Sequence, residues 1–151
     1  MVHAKNAIIS GVVATFVAGS MMMMNNALHS IPEVHVARTL AGILGHPDAP
    51  IVGWIAFLSL GILVCGPLFA AGAPRIPGRS YLVKALLFGV VSWLAMMLIM
   101  MPLAGAGFFG VNRGHVLGFA TLVLNLSYWL TLGGIFRYLT GPETAGIRST
   151  T

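Results

Sequence analysis

Seventeen consecutive uncharged residues, 85–101, separate Lys84 from Pro102, and no other feature limits the options of this chain so strongly. A helix rises about 1.5 Å per residue, and the hydrocarbon core of a bilayer is about 30 Å thick. The run therefore suits a membrane-crossing helix, in which every backbone polar group is satisfied within the segment. Its ending, PLAGAGFFG, places Pro102, Gly105, Gly107 and Gly110 around Phe108 and Phe109. That predicts a helix that stops and a chain that turns tightly at the membrane surface.

Three further apolar runs complete the pattern. With 58% hydrophobic and 7% charged residues, no water-soluble domain hides this much apolar surface. The predicted fold is an all-α integral membrane protein, a four-transmembrane-helix bundle in one domain over residues 1–151. Its helices fall at 7–28, 51–71, 84–102 and 114–139, with a polar tail at 140–151. The start, Lys5 before AIISGVVATFVAGS, resembles a signal peptide with a small-residue site near Ala18 and Ser20. Because the apolar run continues through Met21, Met22, Met23 and Met24, it reads as a retained first helix.

Between the first two helices, residues 31–45 read as a short amphipathic helix at the interface, too short to span. Ser30 as N-cap, Pro32 in the first turn and Glu33 three residues after the cap mark its start. Leu40, Ile43 and Leu44 fall on its apolar side. Gly66-Pro67 predicts a kink late in the second helix. A net charge of +5 would suggest nucleic acid in a soluble protein, but here the cations stand at the ends of hydrophobic runs. Lys5, Arg75, Arg79, Lys84, Arg137 and Arg148 fall on one side and only Arg38 and Arg113 on the other. That asymmetry predicts that both termini are cytoplasmic.

Gly11, Thr15 and Gly19 form a small-residue stripe of the kind that lets membrane helices approach closely. Gly114, Gly118, Thr121, Asn125 and Tyr128 share one face of the last helix. An asparagine at mid-membrane needs a partner, and that face reads as helix packing, with a ligand or ion path as the alternative. Gly11-Val-Val-Ala-Thr-Phe and Gly89-Val-Val-Ser-Trp-Leu, each followed by methionines, suggest two related halves.

Imidazoles and carboxylates carry the remaining candidate chemistry. His29, His35, His46, Glu33 and Asp48 gather at one level and present ligands for zinc or copper, while His29 and His115 are candidates to hold haem. Their spacing matches no HExxH or HxxxH pattern. Met21 to 24 and Met96, Met97, Met100 and Met101 are either copper(I) ligands or adaptable packing. The chain has no GxSxG, P-loop or CxxC, and its single cysteine, Cys65, forms no internal disulfide.

Gly11-Val-Val-Ala-Thr, Leu40-Ala-Gly-Ile-Leu-Gly45 and the Phe88-Gly89…Trp93-Leu…Met-Pro102…Gly105-Ala-Gly107 stretch resemble small four-helix bacterial inner-membrane proteins, distantly the YagU-like group. Some relatives of that kind carry histidines in the second and fourth helices, where this chain has Ala56-Phe57 and Asn125. The resemblance implies a fold and a membrane address and no activity. The functional expectation is a non-catalytic accessory or assembly subunit of a larger membrane complex, such as a respiratory one, with other membrane subunits and lipid as partners and no nucleic acid. The alternatives are a binder or carrier of haem, quinone or copper at the histidines, and a channel or transporter lined by Asn125 and Thr121.

Overall fold

The computed structural model describes residues 2–28, 35–76 and 80–141. Helix α1 is Val2–Leu28, α2 is Val36–Ile43, α3 is Pro50–Arg75 and α4 is Tyr81–Leu103. A 3-10 stretch, Phe108–Arg113, leads to α5, His115–Thr140. Among the described residues there is no strand. Helices α1, α3, α4 and α5 are each long and apolar enough to cross a membrane, so the chain is a multi-pass membrane protein. The predicted helix start at Ser30, Pro32 and Glu33, the cations Arg79 and Arg148, and residues 142–151 of the tail lie outside the described residues.

Two boundaries move for a physical reason. Helix α1 begins at Val2 rather than residue 7, because Asn6 has work inside it: its Nδ2 donates to the Leu139 carbonyl at 3.2 Å and to Thr140 Oγ1 at 3.5 Å. The first of these occupies an orphan carbonyl in the last turn of α5. Helix α4 begins at Tyr81 with Ser80 as N-cap, its hydroxyl accepting from Val83 N–H at 3.4 Å. Lys84 is therefore in the second turn, not at the surface as its expected anchoring role required. It is 1% exposed, with its ammonium 5.3 Å from the centre of the Tyr81 ring, a cation–π placement.

Sequence neighbours run antiparallel. Helix α1 packs on both α3 and α5, and α5 packs on α4. The start of α1 thus meets the end of α5 at one end of the bundle, while α2 and the turn after α4 lie at the other. The predicted α1 stripe does face α3: a methyl on Gly11 would stand 3.0 Å from the Gly61 carbonyl oxygen, and one on Gly19 would stand 3.8 Å from the Trp54 ring. Thr15 is packed so closely against Gly61 that any side chain there would overlap its hydroxyl.

Near the end of α5 an aromatic cluster joins three helices. Its centre is the fully buried Phe69, whose ring lies 5.3 Å from Phe88, 5.6 Å from Phe136 and 6.1 Å from Trp129. This cluster lies toward the terminal end, since Phe136 and Tyr81 belong to the last and first turns of their helices.

Pro67 and Pro102 each follow a local widening of their helix. Helix α3 widens to a π turn at Leu60–Cys65, and α4 does the same at Met96–Met100. In each helix the proline stands two residues beyond the π turn. Proline lacks an N–H, and its ring collides with the carbonyl four residues back. A turn bonded i to i+5 moves that carbonyl aside and keeps the remaining backbone groups satisfied. After α4 the chain turns as predicted, with positive φ at Gly105 (69°), Gly107 (74°) and Gly110 (70°).

Gly61→Val is expected to destabilise the bundle by about 1–3 kcal/mol by forcing Thr15 from its seat. Gly42→Ala, which points into open space, should be neutral or slightly stabilising. Reversible unfolding in mixed micelles reads both, and an unchanged midpoint for Gly61→Val would contradict this packing.

Candidate functional site

The two widened helices border a cleft of about 330 Å³, within the lower range of small-molecule sites. Helix α3 contributes Leu60, Gly61 and Cys65, α4 contributes Ser92, Met96 and Ile99, and α5 forms the back wall with Thr121, Asn125 and Tyr128. Trp129, part of the aromatic cluster, closes one end. At the other end α2 forms a roof through His35, Val36, Thr39 and Leu40. Leu60 is 44% and Ile99 59% exposed, so the rim between α3 and α4 faces the surrounding lipid.

The roof is held by close packing. A side chain on Gly53, in the first turns of α3, would run into the Ala37 backbone of α2. Val36 packs against the cluster of Met97, Met101, Ala106 and Leu117. The turn after α4 and the amphipathic segment thus adjoin as one platform. Asn112 stiffens it: its N–H donates to the Ala106 carbonyl at 3.0 Å.

The predicted face of α5 both packs and lines the cleft. Ser92 Oγ–H donates to Asn125 Oδ1 at 2.9 Å and lies 3.1 Å from the Gly89 carbonyl. Trp93 Nε1–H donates to the Gly118 carbonyl at 3.1 Å. Thr121 donates to Leu117 O at 2.7 Å, and Tyr128 donates across to Gly61 O at 2.6 Å. Gly114 differs from the rest of that face, since at φ 104° it precedes the helix as its N-cap. Among the described residues, Thr15 Oγ1 is the one buried side-chain oxygen without a hydrogen-bond partner, and it lies beside Gly61 at the same level.

Among the described residues, no three His, Cys, Asp or Glu side chains come together as a metal site. His35 is at the roof, between the cleft and a smaller hollow of about 100 Å³ that includes Asn26 and Arg38. His46 Nδ1 is 2.9 Å from the Leu44 carbonyl in the turn that holds Asp48. His29 and Glu33 lie outside the described residues, and of His115 only the backbone, opening α5, is described. The methionine groups also separate: Met96 and Met100 line the cleft, Met22 lines the small hollow, and Met23 and Met24 face outward.

Ser92 and Cys65 were not singled out as cleft residues by sequence. For Ser92 a signal exists, since a hydroxyl inside an otherwise apolar run needs a partner and Asn125 is the polar group at similar depth on another helix. For Cys65 none exists, because its place on the wall depends on the π turn.

The chain belongs to a family of unknown function (DUF6789), whose model matches residues 1–146. No curated protein and no solved structure matches it. The family membership leaves the YagU-like resemblance where the glycine and proline pattern put it.

Tyr128→Phe should lower stability by about 0.5–1.5 kcal/mol through loss of the bond that ties α5 to α3. Unfolding in micelles measures it, and no change would show that the Gly61 contact carries no net energy.

Proposed function

We propose that this member of the family holds a mostly apolar small molecule, taken from the lipid phase, in the cleft between α3 and α4, acting as a binder or carrier. The observation that carries this reading is the cleft itself: an apolar hollow opening between exposed lipid-facing residues, with a few polar groups on one wall and a helical roof. Such a combination of apolar lining and sparse oriented polar groups is what small-molecule sites share. Haem and copper are less favoured than a quinone or lipid-like molecule, because the described histidines do not meet. The channel version draws no support from a hollow closed by Trp129 and the aromatic cluster.

The accessory-subunit reading keeps one supporting observation. In α3 and α4 only 17% of the apolar window is buried within the protein, against 44% in α1, and outward residues such as Ile51, Ile55, Val91 and Leu103 are available to partner helices as well as to lipid. We also propose a bacterial inner membrane with both termini cytoplasmic. With Lys84 buried, five cations against two still favour that orientation. Reporter domains fused after Thr151 should be active only when of the cytoplasmic kind, and the reverse result would invert the topology.

Native mass spectrometry of the purified protein should show the chain with a bound organic mass. Ala95→Trp, placed on the cleft wall, should remove that mass without unfolding the protein. Retention of the same mass in Ala95→Trp would overturn the cleft reading, and stoichiometric partner chains in place of a ligand would favour the accessory subunit.

A further inference from the structure

We infer that the molecule held in the cleft presents a carbonyl-type hydrogen-bond acceptor to the side-chain amide of Asn125. This rests on the cleft-binding reading and adds the chemistry of the contact. Three of the other proton-bearing groups near this depth are committed within the protein. Thr121 donates to Leu117 O at 2.7 Å, Tyr128 to Gly61 O at 2.6 Å, and Trp93 to Gly118 O at 3.1 Å.

Ser92 gives its proton to Asn125 Oδ1 at 2.9 Å, the shorter of its two contacts. That bond holds Asn125 by its oxygen and leaves its Nδ2 hydrogens with no acceptor among the described residues. Asn125 stands on the cleft wall one turn from Thr121 and one turn from Tyr128, both also on the wall. Amide donors facing an apolar hollow carry an unmet desolvation cost that a bound acceptor relieves.

A carbonyl suits this position better than an alcohol or amine, since it accepts without bringing a proton that would need its own partner. Two lipid-phase sources share this chemistry: the ester of an acyl lipid and the ring carbonyl of a quinone. Both carry the acceptor on a long apolar body, as the rest of the lining requires.

The test measures binding of three probes to the purified full chain in micelles: ethyl decanoate, decylubiquinone and decylbenzene, which has no acceptor. Asn125→Leu is expected to weaken binding of the carbonyl probes about three- to tenfold and to leave decylbenzene unchanged. Decylbenzene binding also shows that the variant's cleft has folded. Asn125→Gln, which keeps an amide, should retain the preference for carbonyl probes. Loss confined to the ester assigns an acyl lipid, loss confined to decylubiquinone assigns a quinone, and loss of both assigns recognition of the carbonyl alone. Equal effects on all three probes, or none, overturn the inference while leaving the cleft reading intact, provided Ala95→Trp abolishes binding. If Ala95→Trp binds all three normally, the cleft reading itself falls.

Discussion

In hydrocarbon no water is present to meet a freed backbone carbonyl or amide, and this constraint shapes the protein. Pro67 and Pro102 each remove one donor and crowd one carbonyl inside a spanning helix. Both deficits are absorbed by π turns that begin shortly before the proline. A π turn has more residues per turn than an α turn, so it changes which side chains face inward. Leu60, Gly61 and Cys65 on α3, and Met96, Ile99 and Met100 on α4, reach the cleft from these widened turns. The hollow is thus a consequence of how two helices keep their backbones satisfied around proline.

Elsewhere the bundle closes tightly, and small residues decide where. Helix association in lipid gains little from the hydrophobic effect and depends on close van der Waals packing. Gly11, Thr15 and Gly61 bring α1 against α3, and Gly133 brings α5 so close to Ala85 of α4 that no side chain would fit between them. At the terminal end, large rings take over, with Phe69 among Phe88, Trp129 and Phe136. Tight contact at that end and a widened, roofed space toward α2 frame the cleft.

The chemistry of the cleft is sparse and directional. The Thr121 and Tyr128 hydroxyls and the neighbouring Trp93 indole are spent on helix carbonyls and the Ser92 hydroxyl on Asn125 Oδ1, which ties α4 and α3 to α5 and leaves the Asn125 amide with donors to offer. Among the described residues, His35 stands at the roof and His46 in a turn, while His115 opens α5. Membership of a family of unknown function adds no activity to this picture, so the reading of the cleft rests on its geometry.

Four spanning helices, the amphipathic character of α2, the glycine turn after Leu103 and the α1 stripe were legible in the sequence, because each follows from local periodicity, length or the conformational limits of glycine and proline. The polar face of α5 was legible too, but not its partners. Which residues meet depends on helix rotation and separation, and these are set by side chains on other helices. Hence the Ser92–Asn125 pair, the burial of Lys84 beside Tyr81 and the extension of α1 to place Asn6 under Leu139 belong to the tertiary structure. So does the cleft: proline positions announce a disturbance in two helices, but only their packing on α1 and α5 determines that the disturbance opens a space and which side chains face it.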